Sequence, residues 1–241
     1  MNYSITVSYD GSNFHGWAKQ KNVRTVQEEI EKILSRIFDL PITIHASGRT
    51  DAFVHAIAQV FSFNVKKTQM KVSALLIALR NLSPSDIYFV KAKVNDGMFH
   101  ARFHAQNKTY QYVINNGSYD VFKNNYELFY PDKIKLPLLK KGSKLLIGSH
   151  DFKSFSTSDL NDTIRKINYI RFKQINHHLF ININGDGFLR NMVRMIIGAL
   201  LDLNEGKKSL LDIKKLLEYP KKGSAISKTK ACGLYLLKVN Y

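Results

Sequence analysis

Residues 48–56, GRTDAFVHA, place one carboxylate, Asp51, two positions after the guanidinium of Arg49 and at the head of the apolar run Ala52-Phe53-Val54. A carboxylate partly withdrawn from water stays ionised only beside a cation or under hydrogen bonds. Arg49, or another arginine folded nearby, can supply the cation. An aspartate held in this way can act as a nucleophile, as a general base, or as half of a structural ion pair. These nine residues alone leave the three uses open.

Two further clusters carry groups suited to a polyanionic substrate. In FHARFHAQNKTYQYVI (99–114), His100, Arg102 and His104 alternate on an expected extended segment, and Tyr110 and Tyr112 share one face of the next strand. Cations that meet phosphates beside rings that stack on bases suit RNA. Tyrosines at period two also line cores; that reading is adopted for Tyr112, while Tyr110, beside Lys108 and Thr109, stays open to either use. In GFLRNMVRMIIGALLDLNEGK (187–207), Arg190 and Arg194 are four apart, which places them on one face near a helix N-terminus. Cations there oppose the helix dipole. A phosphate or a buried carboxylate such as Asp51 would offset them, and a solvated basic edge is equally consistent.

Other chemistries find no support. His45, His55, His100, His104, His150 and the adjacent His177 and His178 show no HExxH or comparable ligand spacing, so no metal is expected. No phosphate loop, dinucleotide fingerprint, nucleophile elbow or kinase motif is present. The chemistry is expected from side chains alone, with no cofactor. Cys232 is the only cysteine, which rules out an intramolecular disulfide and makes a reducing, cytoplasmic compartment the default. The apolar run MIIGALL (195–201) is too short to span a bilayer and the N-terminus lacks a signal-peptide core, so a soluble chain with no membrane partner is expected. Lys and Arg number 36 against 19 Asp and Glu, a net charge of +17. Such an excess makes nucleic acid the leading partner, the plain alternative being a basic chain from a lysine-rich proteome.

The elements that must position these groups alternate along the 241 residues. Period-two patterns predict strands over 2–9, 42–47, 58–65, 87–94 and 108–115 in the first part, and over 167–174, 178–184 and 233–241 later. The clearest helix follows Thr25, which with Glu28 makes a capping-box pattern, and sets Val26, Ile30, Ile33, Leu34 and Ile37 on one face until Pro41. Further helices are predicted over 71–82, 136–147, 189–204 and 212–219. Single helices between successive strand pairs point to an α+β protein with two similar halves and a cleft between them, the seam lying near 104–108.

In register along nearly the whole chain, YDGSNFHGW, TVQEEIEKIL, GRTDAFVHA, NLSPSDI, FHARF, the Y-x-Y strand, HDFKSF, FLRNMVR and GLYLLKVNY resemble the motifs of the TruA family of tRNA pseudouridine synthases. The resemblance implies two ferredoxin-like α/β halves, 1–105 and 106–241, joined in a continuous, mostly antiparallel sheet with helices packed on it and a basic central cleft. It implies a cofactor-free, metal-free isomerase acting on uridines of the tRNA anticodon stem-loop, on the 3′ side of the anticodon, as a homodimer. Carried over by residue, Asp51 is the nucleophile, Arg49 helps displace the target base, Tyr110 stacks on the uracil, Arg194 pairs with the aspartate and Leu234 walls the pocket. Arg102, Lys108 and Arg190 complete the expected substrate-binding set. The chain departs from the pattern at Phe53, where the family has glycine, at Ala18 for a common glutamine, and at Lys108 for an arginine. Two rivals remain: a non-catalytic RNA-binding protein of the same fold, and a hydrolytic nucleosidase or nuclease, which would need a second carboxylate or a metal near Asp51.

Overall fold

The computed structural model describes residues 1–66 and 70–241. In chain order the elements are β1 (Asn2–Tyr9), α1 (Val26–Phe38), β2 (His45–Ala46), β3 (His55–Asn64), α2 (Val72–Leu82), β4 (Ile87–Asn95), β5 (Asn107–Asn115), β6 (Leu128–Phe129), α3 (Leu136–Leu145), β7 (Gly148–Asp151), β8 (Ile164–Ile175), β9 (His178–Gly185), α4 (Met192–Asn204), α5 (Leu210–Glu218) and β10 (Leu234–Asn240). The expected α+β class holds, with strands paired mainly antiparallel. Two compact units form: Met1–Gln106 with Tyr235–Tyr241, and Asn107–Leu234.

In the first unit Tyr3, Ile5, Val7 and Tyr9 of β1 point to the core, as period-two alternation requires. Helix α1 answers with Val26, Ile30 and Leu34, each fully buried and four residues from the next. Strand β1 lies between β3 and β4, antiparallel to both, and β2 pairs antiparallel to β3. The resulting order β4-β1-β3-β2, from a strand–helix–strand–strand–helix–strand chain, is the ferredoxin-like arrangement. Beside β2, the same edge of β3 takes β10 in parallel through Tyr235↔His55 and Leu236↔Ala56. A division at 105/106 would leave this strand with the second half. It lies in the first unit because Tyr235 stacks on His55, Gln106 donates to the Asn240 carbonyl, and the Tyr241 hydroxyl donates to the Ala101 carbonyl.

Two local expectations change. Of the strand expected over 42–47, only His45 and Ala46 pair with β3. The Ile44 amide donates instead to the buried Glu31 carboxylate at 3.1 Å, and the Ile42 amide to the Ser35 hydroxyl at 3.3 Å, so helix α1 takes the bonds a ladder would use. The Thr25 capping box does not form either: Thr25 is the N-cap, but its hydroxyl makes no cap bond. The Val26 and Gln27 amides donate to the Gly16 and Trp17 carbonyls at 3.2 and 3.0 Å, which satisfies the helix start from the preceding loop.

In the second unit β5, β9, β8 and β7 follow one another in an antiparallel sheet, with the short β6 parallel to β5. Helix α3 packs on α4 and α5. The helix expected over 189–204 starts only at Met192, because Asn191 adopts left-handed backbone (φ 62°) at the N-cap. Among the described residues no helix is long and apolar enough to cross a membrane.

Candidate active site

Asp51 sits in a loop clamped on both flanks. On one side the buried Thr50 hydroxyl lies 2.7 Å from the Tyr9 phenol, and the Thr50 carbonyl accepts from the Trp17 amide at 3.1 Å. Burial pushes the Tyr9 phenol well above its ordinary pKa, against the hydrogen bonds to Thr50 and Gln59, so it stays neutral. Behind it, Ser47 and the Gly48 carbonyl are tied to the Gln59 side chain at 2.6 and 2.9 Å. On the other side Val54 and His55 are 2% exposed. The His55 Nδ1 accepts from the Gly11 amide at 3.0 Å. Between these anchors Asp51 is half-buried and Arg49 exposed.

The turn at Asp51 explains the sequence departure. The Val54 amide donates to the Asp51 carbonyl at 3.3 Å, closing a four-residue turn whose third position is Phe53, at φ 65°. Glycine or asparagine suits a positive φ there. A phenylalanine accepts it at a cost of about 1–2 kcal/mol. The ring finds room by facing out, 47% exposed, against His15 with centroids 6.0 Å apart. The Phe53 amide donates to the Phe14 carbonyl at 3.2 Å, which fixes the backbone despite the strain.

Residues 11–17 are therefore a strut between helix α1 and the Asp51 loop, and the approach is close. At Gly16 (φ 92°) a Cβ would lie 2.8 Å from the Thr50 carbonyl oxygen. Arg24 braces the strut, its guanidinium over the Phe14 ring at 4.2 Å and bonded to both Asp86 oxygens at 2.5 and 3.0 Å.

The second unit, taken by itself, holds further residues expected from the sequence. Tyr110, on β5, is 7% exposed and meets Phe188 edge-on at 5.1 Å. Tyr112, two residues on, is fully buried with its hydroxyl on the Lys230 carbonyl at 2.7 Å, the core position expected of it. Lys108 pairs with Gly185 at the start of the same strand and is half-buried. Helix α4 has 13 residues, and every one except Arg194 is buried. Its guanidinium is aimed by the Thr229 carbonyl at Nε (2.8 Å) and by Asn191 Oδ1 at Nη1 (3.2 Å). Leu234, at the start of β10, is 5% exposed.

Two expected groupings do not form. Arg190 does not share a helix face with Arg194, since the left-handed Asn191 separates it from α4; Arg190 is exposed, and its carbonyl accepts from Ser156 and Thr157. His100, Arg102 and His104 do not alternate on an extended segment. They form a tight turn in which the His104 amide reaches the His100 carbonyl at 3.1 Å and His100 Nδ1 accepts from the Arg102 amide at 3.1 Å. That turn is fastened to Ser62 by the Ala101 amide. Ser62 lies seven residues beyond His55 on β3, roughly 23 Å at the usual rise. Arg102 therefore sits at the far end of the strand from Asp51.

Sequence reasoning missed the residues that hold the site. Tyr9, Gly16, Asn191 and Thr229 carry no recognisable signal by type or spacing; Thr229 reaches Arg194 across 35 positions. Phe14 and Gly11 had one available clue, the glycine-bearing loop DGSNFHG, whose spacing fits no phosphate cradle. Among the described residues no three His, Cys, Asp or Glu side chains are grouped to hold a metal ion.

Comparison with known proteins bears on the whole chain. The family model described as tRNA pseudouridine synthase matches residues 5–104 and 143–241. A protein named tRNA pseudouridine synthase A from Ureaplasma parvum serovar 3 is 50% identical over 244 residues, covering 100% of both chains. Proteins of the same name from Malacoplasma penetrans and Thermosipho melanesiensis are 45% and 39% identical, covering 100% and 98% of each chain respectively. With matches of this identity over the full length, and the motif residues of GRTDAFVHA in place, the chain belongs to the TruA family of tRNA pseudouridine synthases.

Proposed function

We propose that this protein isomerises uridine to pseudouridine in the anticodon stem-loop of tRNA, on the 3′ side of the anticodon, with Asp51 as its reactive group. The single observation that carries the reading is the loop 48–55, in which one half-buried carboxylate is held between the Tyr9–Thr50 bond and the buried Val54-His55 pair. The isomerisation breaks the bond from N1 of uracil to C1′, turns the base, and forms a bond from C5 to C1′. The proton lost from C5 balances the one gained at N1, so atoms and electrons are conserved without oxidant, reductant or water. One carboxylate suffices because the leaving base is kept and returned; a hydrolase needs a second to activate water.

In this reading Asp51 either attacks C1′ or removes a sugar proton to give a glycal-like intermediate. Arg194 serves as its counter-ion, a role supported by its standing as the one half-exposed residue of an otherwise buried helix. The target base must leave the stack, at a cost of a few kcal/mol. Arg49, exposed beside Asp51, fills the vacated space. Tyr110 gives the flipped ring a face, and Val54 and Leu234 exclude water. Lys108, Arg102 and Arg190 contact phosphates, supported by the net charge of +17. The family motifs further support a homodimer acting in the cytoplasm, with no cofactor.

Asp51→Asn in purified protein is the test. It is expected to keep tRNA binding and form no pseudouridine in a mass-labelling assay, and appreciable turnover would remove the mechanism. Release of free uracil by the unaltered protein would instead favour a hydrolase.

A further inference from the structure

Phe53 holds a backbone conformation that glycine adopts freely, and burial does not compensate for it: φ is 65° and the ring is 47% exposed. Such strain persists only where the surroundings over-determine it, and it gathers at functional sites. The Phe53 amide is fixed on the Phe14 carbonyl at 3.2 Å, so the ring is displayed from a rigid mount two residues past Asp51. His15, itself exposed, borders it with the rings tilted by 53°. The exposed Arg49 lies in the same loop, and Lys21 is exposed on the segment that follows His15, whereas Lys19 is paired with Glu31 at 2.6 Å. An exposed ring on a fixed backbone, in a loop that also carries an exposed arginine, suits an unpaired base, by stacking that any base can satisfy.

We propose that Phe53, with His15 at its edge, stacks on an unpaired tRNA base adjoining the target uridine, and that this contact contributes to substrate selection. The inference rests on reading 48–56 as the catalytic loop. A glycine in this position would relax the turn and offer no ring, so this chain exchanges backbone ease for a contact with RNA.

Phe53→Asn and Phe53→Trp test it, because asparagine tolerates the left-handed turn while the indole keeps a stacking face. The Asn variant is expected to fold at least as stably as the parent, with Kd and KM for unmodified tRNA both raised roughly tenfold. The Trp variant is expected to stay within about twofold of the parent. Its fluorescence should also be quenched by tRNA, which is readable because the other tryptophan, Trp17, is 2% exposed. A folded Phe53→Asn protein with unchanged Kd and KM overturns the inference, as does an equal loss in both variants. Asp51→Asn, run in parallel, separates the two readings: turnover by that protein sinks the catalytic loop, whereas an inert Asp51→Asn beside an unaffected Phe53→Asn sinks only the stacking.

Discussion

The Tyr9 phenol oxygen and the Thr50 hydroxyl lie 2.7 Å apart with both side chains buried, joining the first strand to the residue before Asp51. Removing one partner takes this buried bond from the other, at a cost of about 1–3 kcal/mol, the smaller loss being expected where Tyr9 remains and keeps its bond to Gln59. Tyr9→Phe and Thr50→Val are each expected to lower stability by that amount in urea unfolding and to reduce kcat. The double variant should cost less than the two added, by a coupling of about 0.5–3 kcal/mol. Strictly additive losses would show that the contact does not hold the loop.

Gly16 makes a second prediction. Its φ of 92° strains any side chain, and an alanine Cβ would lie 2.8 Å from the Thr50 carbonyl, a backbone atom that cannot swing aside. Gly16→Ala is therefore expected to destabilise by more than about 1 kcal/mol and to lower isomerisation through displacement of the Asp51 loop. Gly97→Ala is the control, since an added Cβ there meets nothing within 4 Å. Calorimetry and a pseudouridine assay on the two proteins should diverge; equal effects would refute the strut role of residues 11–17.

How far the sequence discloses this site depends on whether a feature is local. The alternation of β1 and the apolar face of α1 are read correctly because period two and period 3.6 are local geometry. The 42–47 strand and the Thr25 cap fail for one shared reason: distant groups took the backbone bonds. Glu31 captures the Ile44 amide, and the Gly16 and Trp17 carbonyls capture the start of α1. The long helix before Asn204 is foreseen but its first turn is not, because Asn191 reaches back to Thr157 at 2.7 Å and turns left-handed. The clamp on Asp51 is invisible for the same reason. Tyr9 and Thr50 stand 41 positions apart.

A pH dependence follows from the 99–104 turn. Desolvation, then the neighbouring His45, hold His100 below the ordinary histidine pKa, with His104 and Arg102 adding to the effect. The folded state therefore binds a proton less readily than the unfolded chain, so stability rises with pH through this group. It is fully present above the unfolded value of about 6.5 and is lost as pH falls through the folded value. His100→Gln is expected to flatten the fall in Tm on going from neutral to mildly acidic buffer. An unchanged slope would place the acid sensitivity elsewhere.

Tyr110 separates the ring from the hydroxyl. Its ring meets Phe188 edge-on at 5.1 Å, a contact that a phenylalanine keeps. If the residue serves by stacking on the flipped uracil, Tyr110→Phe should retain turnover within about tenfold, whereas Tyr110→Ala removes the stacking face and leaves a cavity worth about 3–5 kcal/mol. The stability loss must be kept apart from the chemical one, so turnover is compared at a temperature where circular dichroism shows both variants folded. Phe188→Leu provides a third point. It deletes the edge contact, worth about 0.5–1.5 kcal/mol, while leaving the tyrosine in place, so it should shift kcat less than Tyr110→Ala does. Equal losses in the Phe and Ala variants would assign the role to the phenol oxygen and remove stacking from the mechanism.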